Sequence, residues 1–288
     1  MQKIDATFIQ QYKDKVILEI QSEGFLLSGT MQSEEKIEGS KAIWPKIGAG
    51  KARKKQRAQR AVPMNPDAGQ TEALLETWEA FDYVYKYDLT RTNVKERDNL
   101  AKIGAQALGR ASDEDIMGKL NAAAPTAGYR YVNGGANAFN AAYALTMVQK
   151  AQRAAKGVWR GDNFCPLPSL LWNQFLAAKQ VSSSEYTGPD LPLAKMTSAK
   201  TWSGVHWFLA PDELFPVPSA GNVDIILYPR WAMGYCLNFQ LQTMWDWEND
   251  LGAWSCRMEH EAAVAALQPD ALVRGRFPNP DDGTIVFT

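Results

Sequence analysis

Between Glu38 and Asp67 the chain carries no acid, and this gap constrains the fold more than any other feature. It holds Lys41, Lys46, Lys51, Arg53, Lys54, Lys55, Arg57 and Arg60, a charge of +8. From Met31 to Val62 the chain is poor in large apolar residues beyond Ile37, Ile43, Trp44 and Ile47. That is too little for a module of its own. The pattern predicts an extended two-stranded loop turning at Gly48-Ala49-Gly50, and a long hairpin with so small a core must lie on another surface. The next stretch, Asp67 to Asp98, has net charge −4, with Glu72, Glu76, Glu79, Glu96 and Asp98 among its acids. A cationic ribbon beside an anionic body predicts one copy gripping the next. The contact candidates are Lys51, Arg53, Lys54, Lys55, Arg57 and Arg60 on one side and those five acids on the other. Such complementarity fixes register more than affinity.

Over the whole chain, 31 basic residues face 32 acidic ones, so the cationic run is a local device. This balance counts against a dedicated nucleic-acid-binding protein. A length of 288 residues allows one large domain or two smaller ones. Cys165, Cys236 and Cys256 are widely spaced, with no Cys-x-x-Cys pair, and read as buried thiols in a reducing cytoplasm. Asp5, Lys13, Asp14 and Lys15 interrupt any secretory signal, and no apolar run approaches the ~20 residues that span a bilayer. A soluble cytoplasmic protein is expected.

Hydrophobic periodicity outlines the elements. Ile4, Phe8, Tyr12, Val16 and Ile20 predict an amphipathic helix over 3–21. Phe81, Tyr83, Tyr85, Tyr87 and Leu89 alternate with polar residues and Val84, which predicts a strand with a buried aromatic face. A long helix over 93–122 is expected, capped by Asn93 and interrupted by Gly104 and Gly109. Asn137 is the expected cap of a second helix stopped by Gly157, and a third starts near Pro168. Strands are then expected at Val205–Leu209, Val223–Leu227, Met233–Leu241 and Trp254–His260, with short extended pieces at Ala271–Phe277 and Thr284–Phe287. Helices and strands in blocks favour an α+β fold.

The search for chemistry finds no complete motif. Gly48-Ala49-Gly50-Lys51-Ala52 lacks the hydroxyl and the upstream glycine of a phosphate loop. Asp246, Glu248 and Asp250 have calcium-loop spacing, but Leu251 and Arg257 occupy the places of its glycine and bidentate acid. Two histidines, His206 and His260, offer few bases for a hydrolase. Lys51–Arg60 lacks the interleaved aromatics of single-strand binders.

The order of elements resembles a major capsid protein of tailed double-stranded DNA phages (Caudoviricetes), with the Hong Kong ninety-seven phage-type fold. Local similarity lies in Phe8-Ile9-Gln10-Gln11-Tyr12, Ala107-Leu108-Gly109-Arg110 with Asp113-Glu114-Asp115-Ile116, and Pro168–Leu176. It continues in Trp202-Ser203-Gly204-Val205-His206-Trp207 and Leu227–Gly234. The resemblance implies an N-terminal arm (1–30), an extended loop (31–66) lying across a neighbouring subunit, and an axial domain (127–264). A peripheral domain (67–126 with 265–288) would hold a long strand at 69–89 and a spine helix at 93–122. It implies a structural protein, not an enzyme and without cofactor, that self-assembles into pentamers and hexamers of an icosahedral head around double-stranded DNA. The implied partners are further copies of itself, portal, scaffolding and decoration proteins, and packaged DNA held non-specifically on the inner face, with no membrane. The implied location is the virion, after assembly in the host cytoplasm. The alternative is a nucleic-acid-binding protein using residues 51–60.

Overall fold

A computed structural model describes residues 24–33, 37–55, 57, 60–86, 96–156, 159, 161–183, 197–216 and 221–280, and their side chains except those of 96–98 and 239–242. The expected helix over 3–21, the Asn93 cap, Tyr87, Leu89, Gly157 and Thr284–Phe287 lie outside the described residues.

The first strands are β1 (Gln32–Ser33), β2 (Ile37–Glu38), β3 (Lys41–Ile47), β4 (Ala68–Leu74) and β5 (Glu76–Tyr85). A 28-residue helix, α1 (Glu96–Ala123), follows. Then come β6 (Tyr131–Asn133), α2 (Ala141–Ala154), β7 (Asn163–Leu167), α3 (Ser169–Ala177) and the short α4 (Lys179–Ser182). The rest is strand: β8 (Ala199–Trp202), β9 (Val205–Leu209), β10 (Asn222–Pro229), β11 (Met233–Glu248), β12 (Ala253–Ala266) and β13 (Val273–Pro278). They form a four-stranded sheet β1-β11-β12-β5, a six-stranded sheet β6-β13-β10-β7-β9-β8 and a three-stranded sheet β2-β3-β4.

The four-stranded sheet is built on the β11–β12 hairpin, which extends well beyond its predicted strands because each half supplies the other's ladder. β5 adds antiparallel to β12, from Glu76 opposite Ala262 to Tyr85 opposite Ala253. α1 lies on one face, where Leu108, Cys256 and Met258 pack with Trp78, Ala80 and Trp245. Gly104 costs this helix about 1 kcal/mol relative to Ala. A Cβ there would collide with the thioether end of Met258, so the missing side chain lets β12 approach.

The main core joins the six-stranded sheet to α2 and α3, with Phe139, Phe175, Trp207 and Phe277 in mutual ring contact. α2 is capped by Asn140, whose Oδ1 accepts from Tyr143 N, and not by Asn137. Asn140 has an extended backbone (φ −146°, ψ 177°), so the helix starts after it and past Asn137. Asn137 instead donates to Gly134 O and Tyr143 Oη.

Residues 24–33 tie these layers together. Leu26 N and Leu27 N both donate to the Asp113 carboxylate at 2.9 Å. Thr30 Oγ1 meets Tyr228 Oη at 2.7 Å, Arg230 donates to Gly29 O, and β1 runs parallel to β11.

Three expectations are corrected. The long strand at 69–89 is broken at Leu75, whose N–H donates to Ser40 O, so that β4 pairs with β3 and β5 with β12. The aromatic face of β5 is inverted: Trp78, Ala80 and Val84 point inward, while Phe81 and Tyr85 are 44% and 46% exposed. The covering layer, α1, lies on the opposite face from the one these rings occupy. Finally, the tail was expected with the layer of residues 67–126, but its described strand, β13, pairs between β6 and β10 in the six-stranded sheet, and the β11–β12 hairpin takes the place beside β5.

Candidate functional site

The acid-free stretch divides at Ile47. Up to that point it is part of its own chain's body: Ala42 and Trp44 are buried against Cys236, Ala263 and Ala265. A Cβ at Gly234 would stand 2.7 Å from Trp44 Cε2, so the indole lies directly on the β11 backbone. Lys41 pairs with Glu72 at 2.8 Å, and Lys46 donates to Leu267 O. The expectation that the whole of 31–66 finds its partner elsewhere is thereby corrected. The apolar residues judged too few for a module suffice to anchor one strand.

Beyond Ile47 the chain leaves the body. The strand that returns beside β3 is β4, the first part of the strand expected at 69–89, and it pairs from Ala68 opposite Ile47 to Leu74 opposite Lys41. Gly48 N donates to Asp67 O at 2.6 Å and closes the base of the loop. Slightly further out, Gly50 faces Met64 across the two legs. Lys51, Arg53, Lys54, Lys55, Arg57 and Arg60 are all exposed, and none forms an ion pair or side-chain hydrogen bond with a described residue. Ile47, Val62 and Met64 are exposed as well, at 76%, 57% and 62%. The loop therefore offers apolar as well as cationic contacts.

A second surface faces outward on the side of the four-stranded sheet away from α1. Phe81 and Tyr83 meet edge to face at 4.8 Å, and the Arg257 guanidinium lies 5.8 Å from the Phe81 ring. Tyr85 and Met244 continue the strip. Sequence reasoning found these rings through their alternation but assigned them to the core. The polarity of a sheet depends on what packs against it, which is a non-local fact.

The expected anionic counterpart is placed differently from the expectation. Glu72 accepts from Lys41 and Gln70, which hold its carboxyl below the usual range. Glu76 pairs with Lys119 at 3.2 Å and Glu79 with Arg257 at 3.0 Å. These three acids already face cations of their own chain. The side chains of Glu96 and Asp98 lie outside the described residues.

Two buried carboxylates escaped sequence reasoning. Asp113 is pushed above the usual carboxylate range by burial, while its two N–H donors pull it back. Asp224 binds Arg274 Nη1 at 2.8 Å and Arg276 Nε and Nη2 at 2.7 and 2.9 Å. Arg274 also donates to Ala124 O and Asn121 O, which fastens the end of α1 to β13. An isolated Asp carries no sequence signal of such a role. The remaining candidates are dispersed. His206 bonds Thr201 and stacks on Phe164, and His260 meets Tyr235 Oη inside the fold. Cys165, Cys236 and Cys256 are buried and not disulfide-bonded. Among the described residues no group of three or more His, Cys, Asp or Glu is placed to hold a metal, and no helix is long and apolar enough to cross a membrane.

Comparison with known proteins complements this geometry. The family model described as phage capsid protein matches residues 4–278. No curated protein matches. Among solved structures, the capsid of cyanophage P-SCSP1u superposes with a TM-score of 0.71 at 11% identity, covering 94% of each chain. The capsid of Ralstonia phage GP4 gives 0.71 at 9% identity, covering 94% of this chain and 95% of that one. The cyanophage Pam1 capsid gives 0.68 at 13% identity, covering 98% and 100%.

Proposed function

The chain belongs to the phage capsid protein family, a structural and non-enzymatic class, and from that premise we propose how its surfaces build a shell. Copies assemble into pentamers and hexamers of an icosahedral head enclosing double-stranded DNA. The loop beyond Ile47 crosses to a neighbouring copy, where Val62 and Met64 meet the outward aromatic strip at Phe81 and Tyr85. Lys51, Arg53, Lys54, Lys55, Arg57 and Arg60 then meet the acids Glu72, Glu76, Glu79, Glu96 and Asp98, sharing the first three with their in-chain partners Lys41, Lys119 and Arg257. Exposed ion pairs are worth about 0.2–1 kcal/mol, so exchanging them across an interface is cheap. A heterologous contact of this kind closes into rings when its rotation permits, and many weak contacts hold the lattice by avidity.

In this reading the six-stranded sheet with α2 and α3 forms the axial part, and the four-stranded sheet with α1 forms the peripheral part. Portal, scaffolding and decoration proteins and packaged DNA are the further partners of such a shell, which forms in the host cytoplasm and ends in the virion. The alternative of a nucleic-acid-binding protein acting through 51–60 finds no support in the family match.

The observation that carries the proposal is a loop on an anchored root whose six outer cations have no ion-pair partner among the described residues. Changing Arg53, Lys54, Lys55 and Arg57 together to Gln leaves the subunit folded and removes shells from electron micrographs of the expressed protein. Normal shells at normal yield would overturn it.

A further inference from the structure

At the C-terminal end of α2 the fold assembles what the 51–60 run lacks, cations interleaved with an aromatic ring. Tyr129, 49% exposed, has two guanidiniums against its ring, Arg153 at 5.0 Å and Arg130 at 5.9 Å from its centre. Two like charges gathered at one ring repel each other, and the attraction of each to the ring offsets part of that repulsion. Arg130 is oriented further by Pro269 O at 2.7 Å and by Asp270 at 3.2 Å. Lys156 stands at the rim of the same recess, an open concavity of about 730 Å³ with Trp231 and Gln268 on its walls. Arg153 and Lys156 have no anionic partner among the described residues, and Asp270 is the one acid lining the recess.

The backbone at Lys156 adds a second, independent observation. Its φ is +50°, the left-handed conformation that normally belongs to glycine just past a helix end. Strain of this kind persists at sites where the side chain has a use.

We propose that this recess, with the Arg153 guanidinium beside it, binds the phosphodiester backbone of a polynucleotide, with phosphates on Arg153, Lys156 and Arg130 and with Tyr129 as the positioning residue that both guanidiniums pack against. The identity of the occupant rests on the shell reading, in which the protein encloses DNA. Guanidinium forks match phosphate oxygens in geometry as well as charge. Recognition is through the backbone alone and is therefore independent of base sequence.

The test is binding of the purified protein to a short random-sequence DNA duplex over a salt series. Five variants are compared with wild type: Arg153→Gln with Lys156→Gln, Lys156→Gly alone, Tyr129→Ala, Tyr129→Phe, and the four-residue loop variant. For the double variant the slope of log K against log salt falls by about 0.9 per cation removed. Lys156→Gly weakens binding while unfolding at no lower temperature, because it relieves the left-handed backbone. Tyr129→Ala weakens binding and Tyr129→Phe restores it. The Arg153, Lys156 and Tyr129 variants still form shells and the loop variant does not, so shell yield tests the assembly reading and DNA affinity tests this one. The proposal is overturned if the double variant keeps the wild-type slope, or if only the loop variant loses affinity. A role confined to complementing the dipole of α2 would lower stability and leave binding untouched, which also overturns it.

Discussion

Gly24 and Gly109 meet backbone to backbone. Phe25 N donates to Gly109 O at 3.3 Å, and a Cβ on Gly24 would stand 2.6 Å from Arg110 N. Gly24 also has φ +75°, which an L side chain rarely adopts. The N-terminal segment thus crosses α1 where both backbones are bare of side chains, and Asp113 fixes it one turn further on.

Replacing Gly24 by Ala combines a left-handed penalty of about 1–2 kcal/mol with a clash against rigid backbone. The expected result is undocking of residues 25–31, seen as faster amide exchange there and a lower unfolding temperature. Asp113→Asn acts at the same joint. An amide offers one acceptor where two N–H groups arrive, so a loss of about 1–3 kcal/mol is expected in chemical unfolding.

Asp224 lies buried between Arg274 and Arg276. Asp224→Ala leaves the buried Arg274 without its counter-charge, and the expected loss is about 3–5 kcal/mol. Because the pair is shielded from solvent, this loss should change little with added salt, which thermal unfolding at low and high ionic strength checks.

His260 is buried beside Tyr235, Phe25 and Trp78, and burial pushes its pKa down. The unfolded chain therefore takes up the proton first as pH falls below about 6.5. Its contribution to stability is present above that value and is lost on acidification through the folded pKa. His260→Phe keeps the ring packing and removes the titration. Unfolding temperatures of this variant should decline less than wild type as the pH drops from about 7 to 5.

Phe81 and Tyr85 are solvent-facing in the subunit. Changing both to Ser should alter subunit stability by no more than about 1 kcal/mol. Shell yield should nevertheless fall sharply, measured by sedimentation of the assembled fraction. Intact shells at full yield would remove the aromatic strip from the proposed interface.

What sequence revealed depended on whether the deciding contact was local. β9 is Val205–Leu209 as its apolar run predicts, and α3 opens at Ser169 directly after Pro168. β7 was missed because Pro166 lies within it and its partners, β9 and β10, are distant in sequence. The Asn137 and Asn140 caps lie three residues apart, and both offer the same residue type, so only the backbone, extended at Asn140, decides between them. The cationic loop was legible from charge alone, since exposure needs no partner. The anchoring of Trp44 on Gly234 and the in-chain pairing of Glu72, Glu76 and Glu79 were not, because each requires a neighbour brought by the fold.

The seating of Trp44 on β11 has a consequence for the free end of the loop. A limp tether gives up on the order of 1–2 kcal/mol of conformational freedom for each residue it orders on capture. A limb rooted at a rigid shoulder gives up less and sweeps a narrower volume, so its bearing is set before any encounter takes place.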